Sequence, residues 1–185
     1  MNTRQGNNFT IRDIFELDRE GEKAKYNPLK LKNKKLLFHG SRFSNFTGIL
    51  GNGLRIAPPE APSHGYNFGK GIYLADMAAK SAPYCAPYLS NNEILLIVCE
   101  AALGNSRELD RPDYNAANLP TGFHSTKANG RNIPDPHESE VIEKDIWIPN
   151  GSTKVNNNGG MGHNEYIVYN INQVRMRYLI KCKMN

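Results

Sequence analysis

The feature that most limits the fold is the unbroken apolar run from Ile94 to Cys99. Six apolar residues in succession have the length of a strand, and a strand without polar alternation must be covered on both faces. The run therefore predicts a central strand in a sheet with a sizeable core. At 185 residues, with 39% hydrophobic and 22% charged residues, the chain has the composition of a globular domain.

Two further strands are predicted near the C-terminus. The first places Glu165, Ile167, Tyr169 and Ile171 at one parity. The second alternates apolar residues with mostly Arg or Lys, which is typical of an antiparallel strand with one face in water. Its apolar positions are Val174, Met176, Tyr178, Ile180 and Cys182.

The N-terminal half contains shorter signals. Residues Phe9 to Leu17 predict a half-buried strand interrupted by Asp13. Leu36 to Phe38 predict a strand that delivers His39 to a turn. Asn45 to Leu50 predict a short helix that ends at one of two following glycines, Gly51 or Gly53.

A second strand and helix follow in the sequence. Gly71 to Ala75 predict a brief strand, and Asp76 is the expected N-cap of a helix that begins at Met77. Pro83 should kink or end this helix. The remaining segments are predicted as a long loop at 55–68, a surface region at 107–136 with one short helix near Asn115, a weak strand at 141–148 and a loop at 150–162.

Composition excludes several classes of protein. No apolar run approaches the roughly 20 residues of a membrane span, and the polar start, Met1 to Asn8, is unlike a signal peptide. A nuclear or cytoplasmic location without a membrane partner is therefore expected. The three cysteines should be reduced, and the five histidines lack ligand spacing, so no metal is expected. These histidines are His39, His64, His124, His137 and His163.

The formal charge of +5 leaves open an attraction to nucleic acid. Two basic clusters, one at 30–35 and one at 175–183, carry part of it. No recognition motif accompanies either cluster, so solvated faces are the preferred interpretation and direct DNA binding by this chain is not expected.

Glu165 is the strongest candidate for a functional side chain. It shares strand parity with Ile167 and Tyr169, so its carboxylate should point toward the covered side, where an unpaired charge is costly. The stretch from Leu36 to Tyr84 combines glycines, aromatics, a His, serines and a Lys. This combination suits a pocket for a flat, polar, phosphate-bearing ligand, although neither a Rossmann nor a P-loop motif is present.

Three strings in these regions resemble one family. His39-Gly40-Ser41, Gly69 to Tyr73 and Asn164 to Tyr169 resemble the His, Tyr and Glu motifs of poly(ADP-ribose) polymerase catalytic domains. Leu54 to Pro62 is typical of the DNA-damage-responsive branch. The likeness runs from about Ile11 to Lys183.

The resemblance implies an α+β protein with the ADP-ribosyltransferase fold, in which two mainly antiparallel sheets pack together beside short flanking helices. It implies that NAD⁺ is the substrate and that ADP-ribose is transferred to protein acceptors, to the chain itself or to a growing polymer. His39, Tyr73 and Glu165 would be the catalytic residues, without a metal, and the chain is expected to be a monomer.

The resemblance also implies how NAD⁺ would bind. Gly40 and Ser81 would hold the nicotinamide carboxamide, with the ring between Tyr73 and Tyr84. His39 and Ser41 would contact the adenine ribose, with Arg55 near the adenosine part. Lys80 and Glu165 would line the reacting side. The complete expected set is His39, Gly40, Ser41, Arg55, Tyr66, Tyr73, Ala75, Lys80, Ser81, Tyr84 and Glu165.

Some positions depart from the family pattern. Phe38 replaces the usual Trp, and Leu74 replaces the usual Phe. Pro83 falls inside the motif that carries Tyr84, and two positions that shape the acceptor side in the family hold other residues here, Asn67 and His163. Single ADP-ribose transfer without elongation and non-catalytic NAD⁺ binding therefore stay open as alternatives.

The expected domain organisation is a single catalytic domain over 1–185, in which 1–35 form an N-terminal strand and a connection. Only 35 residues precede Leu36, too few for the helical regulatory domain of the DNA-responsive relatives. From the sequence we therefore expect an uninhibited enzyme whose activity DNA does not raise.

Overall fold

The computed structural model describes residues 9–58, 60 and 65–185. Strands dominate this part of the chain. Numbered in chain order, they are β1 (Phe9–Glu16), β2 (Lys34–Gly40), β3 (Ile72–Leu74), β4 (Glu93–Ala102), β5 (Ser106–Leu109), β6 (Ser125–Ala128), β7 (Gly130–Pro134), β8 (Glu140–Ile142), β9 (Ile146–Ile148), β10 (Thr153–Val155), β11 (Met161–His163), β12 (Glu165–Val168) and β13 (Val174–Met184). The α-helices are α1 (Glu22–Lys25), α2 (Phe46–Asn52) and α3 (Ala78–Ser81).

The strands form three sheets. The largest has the order β1-β13-β4-β2-β9-β8, the second β3-β12-β6-β5 and the smallest β10-β7-β11. Most neighbours are antiparallel, with parallel pairs only at β2–β9, β5–β6 and β7–β11 among the described strands. The predicted α+β class with mainly antiparallel sheets and short helices is confirmed, and the small third sheet adds to the two expected.

The apolar run predicted as a central strand lies within β4, between β13 and β2. Its side chains alternate between two cores. Ile97 and Cys99 face an inter-sheet core that also contains Ile72 and Val168 of the second sheet. Leu96 and Val98 face the opposite side, an outer core covered by α3 and the residues after it. The prediction of a strand covered on both faces is confirmed.

The C-terminal strand β13 differs from the prediction. Its register against β4 shifts between Met176 and Tyr178, which leaves Arg177 as a bulge. A bulge moves every later side chain to the other face. Val174, Met176 and Leu179 consequently lie in the inter-sheet core, whereas Ile180 and Cys182 lie in the outer core. The expected single apolar face with the other face in water is wrong.

The N-terminal strand β1 is present and pairs with β13, with an irregularity between Ile11 and Asp13. The expected half-burial is wrong, because β1 is an edge strand and Ile11 and Phe15 are exposed. Residues Met1 to Asn8 lie outside the described part of the chain, as do Pro59 and 61–64, which include His64.

The polar middle of the chain contains more strands than predicted. Strands β5, β6 and β7 cross the region at 107–136, which was expected to be irregular, and Asn115 lies in a turn rather than a helix. The weak strand expected at 141–148 is a hairpin of β8 and β9. Strand β10 lies inside the loop expected at 150–162.

The segments that lead to the site follow the predictions closely. Strand β2 ends with His39 and Gly40, and α2 ends at Gly53, whose φ is 79°. Helix α3 ends at Ser81 and continues as a 3₁₀ turn at Ala82–Cys85, as Pro83 predicts. The N-cap prediction is wrong, because Met77 is the N-cap and the Asp76 carboxylate is buried instead.

Candidate active site

A cavity of about 770 Å³ opens between the end of β2, α2, β3 and α3, with Glu165 of β12 in its lining. This volume is typical of a site for a drug-sized or larger ligand. All eleven residues of the expected NAD⁺-binding set line it. Segments that are up to 126 positions apart in sequence, from His39 to Glu165, therefore meet at one site.

Glu165 and Lys80 form an ion pair at the cavity wall. Lys80 Nζ lies 3.0 Å from Glu165 Oε1 and also donates to the Tyr84 hydroxyl at 3.3 Å. Glu165 is only 7% exposed, which confirms that its carboxylate points to the covered side. Burial lowers the pKa of Lys80, but the charge and hydrogen bond of Glu165 outweigh it, so that the pKa is raised overall. Lys80 therefore stays charged at neutral pH.

His39 is fixed in one tautomer by the neighbouring strand. Its Nδ1 lies 2.9 Å from the carbonyl oxygen of Tyr73, so Nδ1 carries the proton and donates it. Burial lowers the pKa of His39, against the effect of this hydrogen bond. The neutral ring then presents Nε2 as an acceptor, which fits the hydroxyl of a ribose.

Gly40 allows α3 to approach the end of β2. A Cβ at this position would lie 2.1 Å from the carbonyl oxygen of Ser81 and 3.0 Å from Cys85 Sγ. The Ser81 hydroxyl donates to the carbonyl oxygen of Phe38 at 3.1 Å. With that proton committed, the hydroxyl presents lone pairs to an incoming N–H, such as that of a carboxamide.

The Tyr73 hydroxyl holds the loop before it. It accepts the N–H of Phe68 at 2.9 Å and donates to the carbonyl oxygen of Gly69 at 2.8 Å. Burial raises the pKa of Tyr73, so the hydroxyl stays a donor. The Tyr66 ring lies 6.0 Å from the Tyr73 ring at an interplanar angle of 54°. The two rings give the cavity an aromatic wall that suits a flat ligand.

Lining residues outside the predicted set come mainly from α2 and its two ends. Their place in the lining could have been predicted from the sequence, because α2 follows directly after the His39-Gly40-Ser41 string and must lie beside it. These residues are Ser44, Asn45, Gly48, Ile49, Asn52, Gly53 and Leu54.

Among the positions that depart from the family pattern, Leu74 lines the cavity and Phe38 does not. Phe38 packs against the outer core and Leu74 is buried in the inter-sheet core, so both replacements are apolar and well packed. Asn67 and His163 are not in the cavity lining. Burial lowers the pKa of His163, the charge of Lys80 lowers it further, and the charge of Glu165 acts in the opposite direction. Tyr84, which follows Pro83, is 58% exposed at the rim.

The arrangement places the buried Glu165 carboxylate, the Lys80 ammonium group and the neutral His39 imidazole around a space with an aromatic wall. Such a site can bind a polar ligand with a ring and stabilise positive charge that develops near Glu165. Among the described residues, no group of three His, Cys, Asp or Glu side chains could hold a metal ion, and no helix is long and apolar enough to span a membrane.

Comparison with known proteins identifies the family. Residues 1–184 match the family model of the poly(ADP-ribose) polymerase catalytic domain. The chain belongs to the poly(ADP-ribose) polymerase catalytic domain family. This confirms the resemblance of the His, Tyr and Glu strings.

Individual members of the polymerase family align with nearly the whole chain. The identity is 46% with poly(ADP-ribose) polymerase 2 of Arabidopsis thaliana, over 99% of this chain and 29% of that protein. It is 48% with poly(ADP-ribose) polymerase 1 of Xenopus laevis, over 95% of this chain and 18% of that protein. The identity is 44% with poly(ADP-ribose) polymerase of Drosophila melanogaster, over 98% of this chain and 18% of that protein. The chain thus spans less than a third of the length of these relatives.

Proposed function

We propose that this domain is an NAD⁺-dependent ADP-ribosyltransferase that transfers ADP-ribose to protein acceptors, including its own chain, and extends the product into a polymer. The carrying observation is the buried Glu165 carboxylate, 3.0 Å from Lys80, in the same cavity as His39 and Tyr73. Membership in the polymerase family supports the same activity. A nuclear or cytoplasmic site of action belongs to the proposal.

The reaction breaks the bond between the ribose C1 and the nicotinamide nitrogen and forms a bond from that carbon to an acceptor oxygen. The electron pair of the broken bond neutralises the pyridinium, so nicotinamide leaves as a neutral molecule. The acceptor hydroxyl loses its proton. Glycosidases need a second carboxyl group to protonate their leaving group. Nicotinamide needs no proton to leave, so a single carboxylate suffices here.

The barrier lies in the cationic, oxocarbenium-like sugar. Glu165 would accept a hydrogen bond from the ribose 2′-hydroxyl and stabilise the positive charge on the ring. Opposite charges about 4 Å apart interact by about 4 kcal/mol at an effective dielectric near 20. The same carboxylate would also orient or deprotonate the acceptor hydroxyl.

Lys80 would act on the carboxylate rather than on the sugar. It contacts Oε1 of Glu165 at 3.0 Å, and Oε2 would then be the oxygen that accepts from the substrate. Its contact with the Tyr84 hydroxyl at 3.3 Å fixes the ammonium group from the other side. A carboxylate held in this way loses little orientational entropy when the transition state forms.

The substrate would be held by groups that the fold has already ordered. The chain segments that carry Gly40 and Ser81 approach so closely that a methyl group on Gly40 would not fit. This approach brings the Gly40 backbone and the Ser81 hydroxyl together, so both suit a single carboxamide. Nε2 of His39 is the free acceptor of the imidazole and suits a ribose hydroxyl. Such preorganisation lowers the cost of binding.

The experiment that tests this proposal follows the products of labelled NAD⁺. We expect the protein to release nicotinamide and to produce ADP-ribose polymer attached to protein, seen as a ladder on a denaturing gel. A single labelled product without a ladder would limit the activity to one transfer, with Asn67 and His163 as the positions to exchange. Absence of nicotinamide release would contradict the proposal.

A further inference from the structure

The buried carboxylate of Asp76 bonds to both neighbours of Glu165 in the sequence. Its Oδ2 accepts from Nδ2 of Asn164 at 2.7 Å and from the hydroxyl of Tyr166 at 3.1 Å. Asp76 is 3% exposed, and its partners are also buried, with Asn164 6% and Tyr166 4% exposed. Asp76 does not line the cavity itself. It therefore contacts the catalytic strand without touching the substrate space.

Strand register explains why Asp76 reaches both residues. Strands β3 and β12 are antiparallel, with Tyr166 opposite Leu74. Continuing this register two positions beyond the end of β3 brings Asp76 opposite Asn164. Ala75, the residue between Leu74 and Asp76, exchanges two backbone hydrogen bonds with Phe38 at 2.7 and 2.9 Å. Asp76 thus directly follows the residue through which the chain after β3 bridges to β2.

Asn164 uses both ends of its amide. Its Oδ1 accepts the N–H of Gly130 at 2.8 Å, while its Nδ2 donates to Asp76. A Cβ on Gly130 would lie 2.1 Å from the carbonyl carbon of His163, so β7 is in close contact with the junction between β11 and β12. The backbone just before Glu165 is consequently fixed from two directions.

We propose that Asp76 is a positioning residue for the transfer reaction: through Asn164 and Tyr166 it sets the backbone position from which Glu165 reaches the Lys80 ion pair and the sugar. This inference rests on the proposed function. Asp76 is not a catalytic residue, because it contacts neither the cavity nor the reacting atoms. A displacement of the carboxylate by about 1 Å is enough to cost a reaction about a hundredfold in rate.

The choice of an aspartate fits this role. Oδ1 of Asp76 is buried without a hydrogen-bond partner among the described residues, and burial raises the pKa of the carboxyl group to about 6. A carboxylate accepts from two donors and presents no N–H of its own. An asparagine would keep one acceptor oxygen for Asn164 and Tyr166, but it would place an unpartnered amide nitrogen at the Oδ1 position.

The test compares Asp76→Ala, Asp76→Asn and a control in nicotinamide release. For Asp76→Ala we expect kcat to fall by about ten- to a hundredfold with the KM for NAD⁺ little changed, because the binding groups stay in place. Asp76→Asn should recover most of the loss. The control is Gln173→Ala, which removes another buried side chain, bonded to the carbonyl oxygens of Ala102 and His124. It should lower thermal stability without lowering kcat.

A double-variant comparison separates positioning from general damage. If Asp76 acts through Glu165, adding Asp76→Ala to Glu165→Gln should cause little further loss of the residual rate. Should Asp76→Ala fail to fold, Tyr166→Phe removes one donor, keeps the Asn164 contact and is expected to show the same non-additivity. The residual rate in the Glu165→Gln background is measured with excess enzyme in single-turnover reactions.

The outcomes distinguish this inference from the function on which it rests. A kcat for Asp76→Ala or Tyr166→Phe equal to that of the Gln173→Ala control would overturn the positioning role alone. So would a full additional loss in the Glu165→Gln background. A wild-type protein that binds NAD⁺ but releases no nicotinamide would overturn the proposed function and this inference together.

Discussion

Lys80 Nζ and Glu165 Oε1 lie 3.0 Å apart, although the two residues come from different structural elements, α3 and β12. The contact joins the helix that supplies Ser81 to the strand that supplies the carboxylate. It therefore couples the region expected to hold nicotinamide to the group expected to stabilise the sugar cation.

Loss of the cation should affect both stability and transfer. Lys80→Met leaves the buried Glu165 carboxylate without its partner, so we expect a loss of about 1–3 kcal/mol in the free energy of unfolding. The transfer rate should fall about tenfold or more, because the carboxylate is no longer held. Denaturant unfolding and nicotinamide release measure the two effects.

The matched control for that variant is Lys127→Met. Lys127 pairs with Glu108 at 3.4 Å, but the Glu108 side chain is 57% exposed. An exposed pair contributes little, so the free energy of unfolding should change by less than about 1 kcal/mol. Equal effects of the two substitutions would contradict a special role for the Lys80 contact.

A methyl group at Gly40 should abolish NAD⁺ binding. In Gly40→Ala the new Cβ would lie 2.1 Å from the backbone oxygen of Ser81, which forces α3 away from β2. Calorimetric titration should show no saturable binding. Gly51→Ala in α2 is the control, because nothing lies within 4 Å of its Cβ. That change should leave binding intact and stabilise the helix by up to about 1 kcal/mol.

Removing the Tyr73 hydroxyl should loosen the loop that carries Tyr66. In Tyr73→Phe the N–H of Phe68 loses its acceptor, which costs about 1–3 kcal/mol for a buried donor. We expect weaker NAD⁺ binding by about fivefold or more, since 1.4 kcal/mol corresponds to tenfold. The control, Tyr88→Phe, alters a residue that is 75% exposed. Unchanged affinity in Tyr73→Phe would argue against an ordered aromatic wall.

Asp76 should make stability depend on pH in a defined direction. Burial raises its pKa from 3.8 to about 6, against hydrogen bonds from Asn164 and Tyr166 and the charge of Lys35. Between these values the folded protein keeps a proton that the unfolded chain has lost. The contribution of protonated Asp76 to the free energy of unfolding is complete below about pH 4 and is lost as the pH rises to about 6.

The measurement is the difference in unfolding free energy between the wild type and Asp76→Asn, taken by urea titration at several pH values. Relative to the variant, the wild type should lose up to about 3 kcal/mol between pH 4 and pH 6 and then stay level. A difference that does not vary with pH would show that Asp76 does not titrate in this range.

Much of the site could be predicted from the sequence because its residues lie in short strings at the ends of regular elements. His39 and Gly40 end β2, Tyr73 is the middle residue of β3, and Glu165 begins β12. In each string the local spacing alone fixes which side chain points to which face. The resemblance of these strings to one family then indicated that they belong to a single site.

What the sequence did not reveal depends on tertiary register. The bulge at Arg177 has no local signal, yet it reverses the facing of the second half of β13. Asp76 has the local appearance of an N-cap, but pairing between β3 and β12 directs its carboxylate to Asn164. Strands β5 and β6 are short and polar, so that only their neighbours in the sheet reveal them.

The most direct test of the account is nicotinamide release by the wild type and by Glu165→Gln, measured alongside NAD⁺ binding. The substitution keeps the size of the side chain and removes its charge, so NAD⁺ affinity should stay nearly unchanged. The rate of release should fall by about a hundredfold or more, as for the loss of one transition-state stabiliser. Turnover close to that of the wild type would contradict the assignment of Glu165 and with it the proposed chemistry.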